Sequence, residues 1–364
     1  MKKYKNIIVY AVIALLCIAA FAGYIFTRKS SDSTVVASST SNTTAAAGKT
    51  EAQKQDHIKA VMEKSVAAPG SNPVVGIGRG TDHAKVTSDA IENAGGLKDI
   101  VKEGDVVLIK PNLCTNAMPD TPTTTDYRVT AEVVKKVKEL GASRVIIAEG
   151  GFQGNVFDKA ALELNKYNTI KDVEFFDFNS CKEKDCYKLK TKDSLVGKEL
   201  FIPKIYMDAD VVITVPKLKT HTIPEAVVTL SLKNSFGVPP APLYGGLGDK
   251  IGLHDLGMVE SIMELNKIRK PDFSIIDGII GGERYGPADN TPVNSNIVLA
   301  GKDIVAVDTV ALNFMGFQLD QIPYIKKAVD LKLGIGDINK ITVKGADLKS
   351  IKMNFESIFK INYN

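Results

Sequence analysis

Two rhythms of apolar and polar positions run along residues 73–345, short β-branched runs and longer stretches with helical spacing. Val106-Val107-Leu108-Ile109, Val145-Ile146-Ile147-Ala148 and Val211-Val212-Ile213-Thr214-Val215 are apolar nearly throughout, which suits strands covered on both faces. Between the first two, Val129, Val133, Val134, Val137 and Leu140 recur at helical spacing, with Lys135, Lys136 and Lys138 on other faces. Thr125 or Asp126 can cap the start of that helix, and Gly141 can take the left-handed conformation at its end. Strand, helix and strand in this order predict a parallel pair joined by a right-handed crossover. Further strands are predicted at 173–178, 273–276, 297–300 and 341–343, and helices at 225–235, 258–268, 304–315 and 319–333. Asp303 reads as the N-cap of the 304–315 helix, and Asp308 points either to solvent or into a site. The expected fold is α/β, a mostly parallel sheet or sheets flanked by helices, in one lobe or two, after an N-terminal transmembrane helix.

That transmembrane expectation rests on residues 7–26, which carry no charge and lie between Lys5 and Arg28-Lys29. Twenty helical residues span a hydrocarbon core of about 30 Å. A cleaved signal peptide is the rival, because Ala20-Phe21-Ala22 matches a small-residue cleavage site. Gly23-Tyr24-Ile25-Phe26 continues the apolar run past that site and favours an uncleaved anchor. Residues 30–55 follow as a Ser/Thr/Ala-rich tether with too little apolar surface to fold. The expected division is an anchor at 1–29, the tether at 30–55, the α/β domain at 73–345 and a tail at 346–364. The protein is expected at the cell membrane, single-pass, with the domain extracytoplasmic.

Charge narrows the partners. The whole chain carries +4, but its first 29 residues carry five basic groups and no acid, which leaves −1 for the rest. A near-neutral domain lacks the basic field that a phosphate backbone demands, so no nucleic-acid partner is expected. Outside the apolar segment the cysteines are Cys114, Cys181 and Cys186, too few for the four thiolates of an iron-sulfur cluster, so none is expected within this chain. Cys181 and Cys186 fit either a short-range disulfide or two free thiols.

Candidate chemistry collects where strands end. Lys110-Pro111-Asn112 follows one strand and Pro216-Lys217-Leu218-Lys219-Thr220-His221 follows another, and ligands of open α/β sheets bind at such ends. Lys233-Asn234 closes the 225–235 segment, and His254-Asp255 lies in a stretch, 237–257, that holds six glycines and three prolines and reads as a cover or ligand loop. Asp277-Gly278 ends a further strand. Gly150-Gly151-Phe152-Gln153-Gly154 does not fit a dinucleotide fingerprint, and a Walker lysine motif is absent. The set predicts a small anionic ligand, carboxylate or phosphate, held by Lys110, Asn112, Lys217, Lys233 and Asn234, with His221 and Lys219 catalytic. His254 and Asp277 are candidates for a second catalytic pair or metal ligands. A tethered receptor for an anion or metal, or a docking module for a redox protein, would use the same residues.

These blocks, in order, resemble the prokaryotic domain-of-unknown-function family numbered 362. The resemblance is carried by Ile109-Lys110-Pro111-Asn112, Pro216 to His221, Leu232-Lys233-Asn234-Ser235-Phe236-Gly237, Asp277-Gly278, Gly286-Pro287 and Asp303 to Asp308. It implies an α/β fold and names no reaction. Some members join ferredoxin-type cysteine clusters, which this chain lacks. A more distant likeness to lactate-racemase-type proteins implies histidines at a crevice.

Overall fold

The computed structural model describes residues 50–359, apart from 153 and 247. The expected anchor, residues 30–49 of the tether and the last five residues lie outside that range. No helix among the described residues is long and apolar enough to cross a membrane.

One ten-stranded sheet organises the chain. The strands are β1 (Val74–Arg79), β2 (Val106–Pro111), β3 (Arg144–Glu149), β4 (Glu174–Asp177), β7 (Val211–Val215), β8 (Lys217–Thr220), β9 (Val228–Thr229), β10 (Phe273–Tyr285), β11 (Asp289–Gly301) and β12 (Thr342–Gly345). A separate antiparallel pair, β5 (Cys186–Leu189) and β6 (Leu200–Pro203), stands outside it. The main order is β12-β1-β11-β10-β7-β2-β3-β4, with β8 beside β10 and β9 beside β8. The block β10-β7-β2-β3-β4 is parallel, while β11 runs antiparallel to both β1 and β10.

Side chains alternate across a strand, and here the alternation separates two apolar layers on opposite faces of one sheet. Val107, Ile109, Val145, Ile147, Val211 and Ile213 pack with Val129, Val133, Val134 and Val137 of the helix Tyr127–Glu139. Leu108, Ile146, Ala148 and Val212 face the other way, into a layer shared with the helices Met258–Ile268, Ile304–Met315 and Pro323–Asp330. Each fully buried valine or isoleucine stabilises the fold by about 1.5–3 kcal/mol, so these runs specify strand and face together. The crossover helix starts where expected: Asp126 accepts from Arg128 N, and Gly141 after its end has φ +87°.

Several expectations need correction. Residues 225–235 are not one helix: Val227 has a left-handed φ of +61°, Val228–Thr229 form β9, and the α-helix is only Ser231–Asn234, followed by a 3-10 turn at Ser235–Gly237. The β-branched residues Val228 and Thr229 favour extended backbone, and the carboxylate of Asp308 accepts from Ser231 N and Leu232 N, starting the helix there. Asp308 therefore points to neither solvent nor a cavity. Asp303 does cap its helix, accepting from Val305 N and Ala306 N. The 319–333 segment holds the shorter helix Pro323–Asp330. The strands at 273–276 and 297–300 extend into a hairpin of thirteen residues per arm. The helix Glu51–Val66, capped by Thr50, takes residues 51–55 from the tether. Past residue 345 the chain still packs: Phe355 is fully buried against Phe314, and Glu356 pairs with Arg284. Cys114, Cys181 and Cys186 are free thiols, the last two buried side by side.

Candidate functional site

Parallel strands β2, β3 and β7 deliver Asn112, Glu149-Gly150 and Pro216 to the same edge of the sheet. A cavity of about 340 Å³ opens there. Its floor comes from the β2 and β3 ends, one side from Lys219 and His221 at the end of β8, another from Lys233 and Phe236, and its cover from Lys250 and His254 of the glycine-rich stretch. That stretch is ordered by short helical turns at Ala241–Tyr244 and Ile251–Asp255.

The lysines differ in what their ammonium groups already bond, and each has three N–H donors to satisfy. Lys110 uses all three: Nζ donates to Glu149 Oε1 at 2.6 Å, to Pro111 O at 3.3 Å and to Asn234 Oδ1 at 3.3 Å. Burial pushes its pKa down and the Glu149 carboxylate opposes that shift. Lys219 Nζ donates to the carbonyls of Thr123 and Pro287, and burial pulls its pKa down. Lys250, held at a left-handed φ of +52°, donates to Gly150 O at 3.0 Å and Gly237 O at 3.2 Å, and burial lowers it to about 8. Lys219 and Lys250 thus each retain one donor. Lys233 retains three: among the described residues its Nζ meets no carboxylate or carbonyl, and its neighbour is the Phe236 ring at 5.9 Å. Burial, with Lys219 and Lys110 adding repulsion, lowers it to about 8.

His221 is a neutral donor. Its Nδ1 accepts from Ile223 N at 3.1 Å, which places the ring proton on Nε2. Burial, then the charges of Lys233 and Lys219, hold its pKa far below the ordinary imidazole range. His254 packs edge-on against Phe236, ring centres 5.0 Å apart, and burial also lowers it.

Asn234 is a strut as much as a wall. Its Nδ2 donates to Lys110 O, Pro111 O and Thr214 Oγ1, while Oδ1 accepts from Lys110 and from Asn112 Nδ2. Asn112 Oδ1 is buried with no partner among the described residues.

The structure therefore brings Asn112, Lys219, His221, Lys233, Asn234 and His254 to one cavity. Lys110 stands just behind it, locked to Glu149. Lys217 and Asp277 do not reach it: they pair with each other at 2.8 Å, fully buried, and Asp277 also accepts from Asp126 N. Lys217 and Lys219 lie in a strand, not in a loop after one, because β8 resumes pairing beside β10 beyond Pro216. Sequence reasoning passed over Glu149, Cys114 and Lys250. Glu149 had a signal, a lone acid ending an apolar strand beside the strand that ends in Lys110; Lys250 in a glycine-rich stretch had none. A different trio, His83, Asp120 and Asp126, has ligand atoms within 4.8 Å of one another, but the Arg128 guanidinium already bonds both carboxylates.

The family model described as "Domain of unknown function (DUF362)" matches residues 107–313, more than half of the chain. The chain belongs to that family. The DUF362 region contains every residue that lines the cavity. A thylakoid-associated protein of Synechocystis sp. is 32% identical over 248 residues, covering 67% of this chain and 73% of its own length. Among solved structures, the lactate racemase apoprotein from Thermoanaerobacterium thermosaccharolyticum aligns at TM-score 0.41 and 13% identity, over 63% of this chain. The chain spans 54% of that structure's length. A Thermotoga maritima protein aligns at TM-score 0.39 and 10% identity, covering 74% of this chain and 62% of its own.

Proposed function

We propose that the cavity is an active site for a small organic anion, a carboxylate or a phosphate, with Lys233 as its principal counter-charge. The observation that supports this is the donor inventory: three ammonium groups line a cavity of about 340 Å³, and one of them has no acceptor among the described residues. An unpaired ammonium in a half-enclosed site is unfavourable unless something anionic completes it. His221, neutral and donating from Nε2, is suited to stabilising negative charge that develops on an oxygen, a role distinct from that of a general base. Lys219 and Lys250 add positive potential from fixed positions. Lys110, behind the cavity, positions the floor, and Asn234 both braces it and lines the cavity.

Calorimetric titration with a panel of small carboxylates and phosphate monoesters tests the binding half. Lys233→Gln should weaken the preferred anion by about tenfold to a hundredfold, the range of one hydrogen bond to a charged group. Prolonged incubation tests the catalytic half: His221→Ala should slow turnover by about a hundredfold or more if it removes an oxyanion donor. A receptor is the second reading, favoured by the same His221 tautomer, since donation requires no proton transfer. Candidate ligands returned chemically unchanged by the native protein would establish it. We also propose that residues 1–29 anchor the domain outside the cytoplasm at the cell membrane. The uncharged run 7–26 supports the anchor, and the name of the thylakoid-associated relative fits association with a membrane.

A further inference from the structure

The geometry points to a covalent role for Lys233: we propose that its Nζ forms an imine with the carbonyl carbon of an oxo acid bound in the cavity. The inference rests on the reading of this cavity as a small-anion site and names the class of anion. Lys233 differs from the other lysines here in being uncommitted among the described residues. Lys110 is saturated by Glu149, Pro111 and Asn234, and Lys219 and Lys250 are each tied to two backbone carbonyls. A nucleophilic amine must have its lone pair accessible and must not be held as an ammonium by a carboxylate. Lys233 meets both conditions, lining the cavity with the Phe236 ring as its neighbour.

Cations outweigh anions among the groups that act on it, with the Glu149 carboxylate committed to Lys110 and that of Asp249 at the cover. Lys219 of β8 and Lys110 of β2 repel its charge, Cys114 from the loop after β2 opposes that repulsion, and His221 and His254 stand uncharged around the same cavity. Burial and those cations bring Lys233 to about 8, so roughly a tenth of it is free amine at pH 7 and about half at pH 8. The step balances. The deprotonated amine attacks the ketone carbon, a C–N bond forms, and the carbonyl oxygen gains the π pair while accepting a hydrogen bond from His221 Nε2. Both amine hydrogens then leave with that oxygen as water, and one proton returned from solvent gives the iminium. Lys219 and Lys250, which line the same cavity and each keep one donor, supply positive charge for the acid's carboxylate. Apolar walls at Ile223, Phe236 and Met258 suit a short aliphatic body.

Borohydride trapping on the full chain tests this, with 2-oxobutyrate as probe, butanone as the ketone without a carboxylate, and butyrate as the acid without a ketone. Peptide mass spectrometry should find a reduced 2-oxobutyrate adduct on Lys233 at least tenfold above any other lysine, with little from butanone. Yield should rise as pH passes through about 8, and Lys233→Arg should abolish it. Calorimetry with butyrate separates the two claims. Butyrate binding without a Lys233 adduct would overturn the imine and leave the anion site standing. An adduct spread evenly over surface lysines would also overturn it. Absence of binding by butyrate and 2-oxobutyrate alike would overturn the imine, and failure of the phosphate monoesters as well would remove the anion reading beneath it.

Discussion

Lys233 is a residue whose charge the fold does not satisfy, and that has a stability consequence. Its folded pKa, about 8, lies below the 10.5 of the unfolded chain. Between those values the unfolded state binds the extra proton, so Lys233 makes stability rise with pH from about 8 toward 10.5, and below 8 the folded protein bears the full penalty. Lys233→Gln should therefore raise the melting temperature at pH 7 while weakening anion binding, an opposition that a purely structural lysine would not produce. Asp308 gives the mirror case. Burial raises its carboxyl from 3.8 to about 7, so the folded state holds a proton that the unfolded state has lost across that interval. Its contribution is present below about 4 and lost as pH rises through about 7. Asp308→Asn should flatten the urea-unfolding free energy against pH over that window; an unchanged slope would assign it elsewhere. Lys110 and Glu149 are different again, a mutually satisfied buried pair. Glu149→Gln leaves an uncompensated ammonium and should destabilise by about 3–5 kcal/mol in urea titrations.

Among the elements, strands were the most legible. Val106 to Ile109, Val145 to Ala148 and Val211 to Val215 announce themselves because a strand buried on both faces must be apolar at every position. β8 was not legible, since Lys217 and Lys219 read as ligand-binding and catalytic groups after a strand until Asp277, Thr123 and Pro287 are placed beside them by the rest of the fold. The outer arms of the β10-β11 hairpin were hidden for a related reason: Gly281-Gly282-Glu283-Arg284 and Asn294-Ser295-Asn296 resemble loop chemistry, yet they are paired to each other, to β8 and to Glu356. The 225–235 segment misled because apolar residues at 227, 228, 230 and 232 fit a helix, a strand or the mixture actually formed. For the site, the sequence showed that cations gather at strand ends. It could not show which of them are neutralised, because that depends on partners up to 124 residues away. Gly237 illustrates the constraint at element scale. A Cβ there would collide with Glu149 Oε1 and lie 2.7 Å from Lys110 Nζ, so Gly237→Ala should disrupt the ion pair under the cavity and lower the melting temperature, readable by calorimetry.

At the scale of the whole molecule, one sheet with two apolar layers holds a cavity at the edge where its parallel strands end, covered by a glycine-rich stretch that contributes Lys250 and His254. If residues 1–29 tether this body to a bilayer, full-length protein should sediment with membranes while a chain starting at residue 30 stays in the supernatant. Equal partition of the two would exclude the anchor. The central claim, however, concerns charge inside the cavity, and anomalous diffraction from bromide-soaked crystals reads it most directly. The account predicts an anomalous peak within hydrogen-bond distance of Lys233 Nζ, facing His221 Nε2, that vanishes in Lys233→Gln. Bromide ordered elsewhere on the surface, with none beside Lys233, would contradict it.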